Sequence, residues 1–595
     1  MKSLRRLSAV VVVAAIMLFT CAVRAQVLQQ IPEQALVVVK INSLSSFSTK
    51  FGKLATDLQL VAQVPQLADP LAALQDKLKI QNGVDKNGEA AFAYLDPAVA
   101  GGNDDKSVLI LLPVSDYKAF IGNFADAKEE GGIATVKFAD SEEDAYVANW
   151  GKYAVVSPSK EIAALKPTGL KVQGAVTAKE MQSKDVVMLA NLAQLKTKLQ
   201  PQLAKSKEEV LEQVSKGMEN NEEAKKYTPA VKALVSQLIN VADSFLRDAQ
   251  SATFGITIGD AGISTTLMAE FEPGSYIGNL AKSAKNSDAS MLTGLPAGKY
   301  LFFGGSVNDP ENVAKVFDDL LGPVTTELKT IGDEKATAIN KYVDSLRKYV
   351  VATKSQSWGM IAPSGAIGQE PLFQIVSIQS GDPAIMKQSY QDMMATQKEL
   401  MSAFGVPDDA MKTTTTPNAK TIDGVNFDQT HTDMNVGGPN AAQAENMMKI
   451  MYGPEGMNAL TGVVGDRLIV GFGANDQTLS QTIAAVKAKE DPVGKMPGVA
   501  TVNAQLPKSR VVAVHLPLDE VITTIGTYAG AMGMPIQIQL PPDLAPIGFT
   551  LSSESTAIRV DSYTSTDLIK ALVAQGMQLY MQRMGAGGAG GPGGL

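Results

Sequence analysis

The sequence predicts an α+β protein built as a tandem duplication, A-B-A-B, of units with largely antiparallel sheets and helices packed on one face. Three observations carry this. Short apolar runs are joined by tight turns, as antiparallel hairpins require. Segments of helical period are interleaved with them. The same segments also recur, in the same order, in the two halves of the chain.

The elements follow in order. Leu36–Ile41 (LVVVKI) reads as a buried strand and Ser45–Leu60 as the helix after it. Ala90–Leu95 and Val108–Leu112 are strands, and Asp116–Ala127 a helix. Ala134–Phe138, Ala145–Asn149 and Tyr153–Ser157 form a meander with a tight turn at Gly151-Lys152. Ser159–Leu165 is a short helix. A long helical insertion falls near 196–250. There Val231, Leu234, Val235, Leu238, Ile239, Ala242, Phe245 and Leu246 form one apolar face. Pro229 stands at its start, where proline is tolerated, and Lys205–Lys226 is a second, more charged helical stretch.

The repeat is clearest where GAVTAKEMQSKDVVMLANL (Gly174–Leu192) aligns without gaps on GVATVNAQLPKSRVVAVHL (Gly498–Leu516), an offset of 324. Upstream, WGKYAVV (Trp150–Val156) parallels VGDRLIV (Val464–Val470) at 314, and Ser107–Phe120 resembles Pro371–Ile385 at about 265. Downstream, FGITIG (Phe254–Gly259) resembles IGFTLS (Ile547–Ser552) at 293. Stepwise offsets in conserved order are what duplication followed by insertion produces. The expected organisation is unit A1 at 26–170, B1 with its helical insertion at 171–288, A2 at 289–490 and B2 at 491–584. The Gly-, Ser- and Asn-rich stretch Asn286–Gly298 forms the seam. Two polar stretches, 412–420 and 435–446, read as inserted loops. The Gly-rich tail 585–595 is expected to be disordered.

The N-terminus carries an address. Lys2, Arg5 and Arg6 precede an apolar run, Ala9–Phe19, and Val23 and Ala25 occupy the −3 and −1 positions of a cleavage site. This is a secretory signal pattern, too short for a permanent transmembrane anchor. The weaker lipoprotein reading rests on Leu18–Cys21. Cleavage after Ala25 removes four of the 53 basic residues and none of the 61 acidic ones, leaving a balance of −12. It also removes Cys21, the single cysteine, so the mature chain has no thiol chemistry and no disulfide. The acidic balance argues against nucleic-acid binding.

The chemistry of sites is sparse. The chain's two histidines, His431 and His515, exclude multi-histidine metal motifs and read as structural, His515 standing where the duplicate has Asn191. No GxSxG elbow or phosphate-binding GxxxxGK[ST] loop occurs, and GxGxxG appears only in the tail. Asp85–Glu89 approaches a calcium loop but runs at once into a strand. No catalytic, cofactor-binding or metal-ligating residue is therefore nominated, and no cofactor is expected. Ten of 24 methionines lie between Met386 and Met457, and Met577, Met581 and Met584 share one helical face. Core filling explains them. The sharper reading is an adaptable apolar groove, which requires that they line an open cavity.

The segments Ile31–Ala55, Ser107–Phe120 and Ala145–Lys166 together resemble large secreted bacterial proteins of domain-of-unknown-function type. That resemblance implies an extracytoplasmic location and supplies no catalytic residue. The leading expectation is an exported, non-enzymatic binding or scaffold protein of the cell envelope, periplasmic or at the cell surface, with an apolar groove. Its partner would be an apolar ligand or an envelope protein. A secreted hydrolase using carboxylates is one alternative, and a self-associating envelope component another.

Overall fold

The computed structural model describes residues 26–139, 141–219, 222–365, 367–403, 411–434, 441–531, 534 and 538–587. The expected signal peptide, Cys21 and the last residues of the Gly-rich tail lie outside them. The fold is α+β, and the twenty strands among the described residues pair antiparallel.

Contacts divide the chain into two compact units. The first comprises the residues up to Leu199 together with Ala249–Glu272, and the second Gln200–Asp248 together with Pro273–Leu595. The first unit contains β1 (Ala35–Ile41), β2 (Ala90–Leu95), β3 (Val108–Pro113), β4 (Lys128–Glu130), β5 (Ile133–Val136), β6 (Ala145–Trp150), β7 (Tyr153–Ser157), β8 (Val186–Ala190), β9 (Ala249–Ile258) and β10 (Gly262–Phe271). Their order is β10-β9-β8-β1-β2-β3-β7-β6-β5-β4. The second contains β11 (Tyr300–Val307), β12 (Thr353–Ile361), β13 (Gln374–Gly381), β14 (Met411–Ile422), β15 (Val425–Met434), β16 (Met457–Val464), β17 (Arg467–Phe472), β18 (Val512–Leu516), β19 (Ile547–Glu554) and β20 (Ala557–Ser565). Their order is β20-β19-β18-β11-β12-β13-β17-β16-β15-β14, element for element that of the first unit.

The registers correspond as well. Val37 faces Tyr94 on one side and Ala190 on the other, as Gly304 faces Trp358 and Val514. Ala190 and Val514 are separated by the 324 of the sequence repeat. The downstream match is displaced. Met188 faces Phe254 and Val512 faces Leu551, so Phe254 corresponds to Leu551 rather than to Ile547. The slip is an even number of residues, which leaves the in-out alternation unchanged and makes it invisible to pattern matching.

Several expectations are corrected. The A and B segments share a sheet in each half, because β8 pairs directly with β1 and β18 with β11. The seam 286–298 is not a solvent linker, since Met291, Leu292 and Leu295 are buried. The helix expected at Asp116–Ala127 spans only Tyr117–Ile121 and gives way to β4. The polar 412–420 stretch is strand rather than loop. Its threonines are β-branched, and Thr413 and Thr415 hydrogen-bond Thr432 and Thr430 across β14–β15 at 3.0 and 3.2 Å. Of 435–446, residues from Ala441 on are helical and the rest lie outside the described residues. In the helix Thr228–Asp248 only Ala230 and Asp248 are buried; most of its apolar face is half-buried, and Leu238, Val241 and Phe245 are exposed.

Each sheet packs one face on helices. In the first unit Val38, Leu109, Leu111, Val187 and Leu189 join Ile162 and Met181 from the covering helices Lys160–Ala163 and Ala175–Ser183. In the second, Phe303, Val376, Ile378 and Ile469 pack against Leu479, Ile483 and Val499 of the helices Asp476–Ala488 and Pro497–Gln505.

Candidate functional site

The helix Leu518–Ala531 lies on the opposite face of the second unit's sheet. It begins after Pro517, whose carbonyl accepts the Val521 amide at 3.1 Å, and carries Asp519 and Glu520 in its first turn, where carboxylates favour the helix dipole. Val521, Thr524, Ile525 and Tyr528 fall at i, i+3, i+4 and i+7, one stripe of the helix.

That stripe closes on the sheet only in part: Val521 packs on Leu301 and Met360 and Tyr528 is buried, while Ile525 stands clear. A groove of about 390 Å³ runs between Val521, Ile525 and Tyr528 on the helix and Leu301, Phe302 and Met360 on β11 and β12. Leu372 and Phe373 form a further wall. Neighbouring strand residues normally point to opposite faces, yet both Leu301 and Phe302 line the groove. The β11–β12 pairing is irregular between Tyr300 and Phe302, and such a bulge re-aims side chains. No charged side chain lines the groove. Its polar tips are the hydroxyls of Thr524 and Tyr528. Burial, and then the charge of Glu370, push the Tyr528 phenol up, so it stays neutral. Phe302 meets Trp358 edge-on at 5.7 Å, and Ile525, half exposed at 51%, stands at the rim.

A second cavity, about 630 Å³, mixes polar and charged side chains with Pro371, Pro454 and Leu460. Gln369, Gln429, Asn458, Glu370, Glu455 and Asp476 line it, with Tyr452 and Lys420. Glu370 accepts the backbone amides of Ser364 and Gly365 at 3.1 and 3.0 Å and the Gln374 side-chain amide at 3.4 Å. Burial raises the Glu370 pKa, but these donors outweigh it and hold the carboxyl below its ordinary range. Asp476 is paired with Lys420. The cavity thus gathers carboxylates, as the hydrolase alternative requires. Glu370 is held as an anion, which suits the nucleophile or base of glycoside cleavage and not its protonated acid.

The structure places the two histidines apart and gives neither a nucleophile. His515 is fully buried on β18, stacked on Phe303 at 4.9 Å, with its Nε2 3.2 Å from Asn503 Oδ1. Arg510 Nη2 shares that oxygen at 3.2 Å. Burial, then the Arg510 charge, push the His515 imidazole down to about 3, so it is neutral. His431, on β15, contacts Asp433 Oδ1 through Nε2 at 2.8 Å and Asn458 Oδ1 through Nδ1 at 2.9 Å. Two acceptors favour the imidazolium, and its pKa is raised, chiefly by Asp433.

Among the described residues no group of three metal-ligating side chains occurs. Asp85–Glu89 is a turn leading into β2, as its sequence reads: Asn87 and Gly88 donate their amides to the Asp85 side chain and carbonyl at 3.1 Å each. Glu89 there pairs with Lys40. The methionine reading is not supported. Met386 and Met393 are buried, and the groove takes Met360 rather than any methionine of the 386–457 cluster. An apolar groove was expected but not these residues, because its walls come from β11, β12, residues 372–373 and a helix more than 140 positions further on. The one local signal was the apolar stripe 521–528.

In the first unit the sheet face away from its helices is apolar across six strands. Leu267, Phe254, Met188, Val39, Phe92 and Ile110 are successive cross-strand partners, and Leu267, at 56%, is the most exposed.

No family model matches the chain, and no curated protein matches it. Solved crystal forms III, IV and I of TP0453 are similar at 12%, 12% and 10% identity. The matches cover 48% of this chain in each case and 100%, 97% and 98% of those chains, with TM-scores of 0.21, 0.21 and 0.20. Scores this low carry no argument about fold or function. No described helix is long and apolar enough to cross a membrane.

Proposed function

We propose that this is an exported, non-enzymatic envelope protein of duplicated halves whose second half binds an apolar chain. The observation that carries the reading is the groove of about 390 Å³ between the helix Leu518–Ala531 and β11–β12, walled by Leu301, Phe302, Met360 and Val521 and free of charged side chains. Its volume is in the range of small-molecule sites. Each methylene it takes from water contributes about 0.8 kcal/mol. The signal pattern at residues 1–25 supports export.

The test is titration with N-phenyl-1-naphthylamine, a neutral apolar fluorophore. The intact protein should bind it saturably, and Ile525→Asp should weaken binding about tenfold or more by placing a charge against the probe. Ile525 is half exposed, so the variant should fold normally. Absence of saturable binding, or equal binding by the variant, refutes the reading.

A second reading, self-association, is favoured by the first unit's exposed row from Leu267 to Ile110. Sedimentation of wild type and Met188→Lys tests it: a dimer or larger species that the lysine dissociates supports it, and a monomer at every concentration rejects it.

A further inference from the structure

The polar cavity shares a wall with the groove. Segment 371–374 gives Pro371 and Gln374 to the cavity and Leu372 and Phe373 to the groove. The Phe373 ring lies 5.9 Å from that of Tyr452, which lines the cavity. Glu370, on the cavity side, acts electrostatically on Tyr528 in the groove. A cavity lined by polar side chains and a charge-free apolar groove therefore meet across four residues, which is the arrangement an amphiphile requires.

The chemistry of the cavity selects the head. Glu370, Glu455 and Asp476 face it against Lys420 alone, so a phosphate or carboxylate head would be repelled. A bare cation finds no three-ligand cluster among the described residues. The lining offers amide side chains, which donate and accept, and carboxylates, which accept hydrogen bonds from hydroxyls, a set that matches a neutral polyol. The Tyr452 ring and the glycines at 453, 471 and 473 add flat or close-approaching surface. At Gly473 the requirement is strict: φ is +61°, and a Cβ would meet the Phe373 carbonyl oxygen at 2.6 Å.

We infer that the polar cavity holds an uncharged, hydroxyl-rich head, a saccharide, of the same amphiphile whose chain occupies the groove, so that the ligand is a glycolipid. The inference rests on the apolar-chain reading above. It makes Gln369 and Gln429 head-group contacts.

Isothermal titration of the intact protein with three probes, each kept below micelle formation, tests it. The probes are dodecyl maltoside, dodecyldimethylamine oxide (the same chain on a small head) and maltose. Dodecyl maltoside should bind about tenfold or more tightly than the amine oxide, with maltose much weaker than either. Gln369→Leu and Gln429→Leu should each reduce that preference several-fold while leaving amine-oxide binding unchanged. Equal affinity for the two detergents overturns the head-group inference and leaves the groove reading standing. Maltose binding as tightly as the maltoside shows a free-saccharide site and overturns the link to the groove. Failure of both detergents to bind removes the groove reading and this inference together.

Discussion

Lys40 in the first unit offers a quantitative test of how the sheet tolerates a buried charge. Its side chain is fully buried on β1, with Nζ 2.8 Å from Glu89 Oε1 and 3.2 Å from the Met181 carbonyl. Glu89 also accepts the Val27 amide at 3.2 Å and is 24% exposed. Glu89→Gln keeps one oxygen to accept the Val27 amide and turns its NH2 donor toward Lys40, so it removes both the charge and the acceptor that Lys40 uses. Breaking a fully buried pair from one side costs about 3–5 kcal/mol. Glu89 reaches water, so about half of that, about 2 kcal/mol, is expected. Lys40→Met removes the buried ammonium itself and should cost less than about 1 kcal/mol, since an apolar replacement leaves no unpaired buried charge. The pH dependence has a definite sign. Burial lowers the Lys40 pKa, while Glu89 opposes the shift. Between the folded pKa and the unfolded value of about 10.4 the unfolded chain binds more protons, so stability rises with pH there. Without Glu89 that window opens at lower pH, and Glu89→Gln should recover stability relative to wild type as pH rises from 7 to 10. Urea unfolding followed by Trp150 fluorescence, in a Trp358→Phe background, isolates the first unit. Equal losses for the two variants, or a Glu89→Gln difference independent of pH, would refute the argument.

The remaining predictions concern the buried polar groups. His515, held near 3 against an unfolded value of about 6.5, contributes a stability loss of about 1.4 kcal/mol per pH unit on acidification below 6.5. Wild type should therefore lose about 2 kcal/mol more than His515→Asn between pH 7 and 5, read by Trp358 fluorescence with Trp150 replaced by Phe; parallel profiles would show that the imidazole does not titrate this way. In the first unit, Glu270 accepts the Thr177 amide at 2.7 Å and hydroxyl at 2.8 Å at the start of the helix Ala175–Ser183. Glu270→Gln should cost about 1–2 kcal/mol and speed hydrogen exchange at Thr177 by tenfold or more; unchanged exchange would contradict it. Gly174 adopts φ +91° with a Cβ position 2.1 Å from the Glu270 carboxyl, so Gly174→Ala should lower the first unit's unfolding midpoint more than Glu270→Gln does, and an equal or higher midpoint would show that the site relaxes.

The α+β class, most strands of the first half and the hairpin at Gly151-Lys152 were legible in the sequence. Alternating and continuous apolar runs report a sheet that is buried on one face, and positive-φ glycines report its turns. Weaker signals misled. The threonine-rich 413–416 stretch looked like a loop because an edge strand facing water needs no apolar residues. The helix-period residues of Thr228–Asp248 read as one core-forming face, yet most are half-buried and Leu238 is exposed, because periodicity reports a helix and not how completely a neighbour covers it.

By itself the sequence determined the α+β class, the local periods and the absence of multi-histidine and phosphate-loop motifs, because each is written in neighbouring residues. Only the tertiary structure decided that β8 closes onto β1 and β18 onto β11, that the second half carries a charge-free groove beside a polar cavity, and that Lys40, Glu270 and His515 are buried. Those features depend on side chains separated by tens to hundreds of positions. Their pairing is set by which faces must leave water together, a property of the packed sheet that no single segment contains.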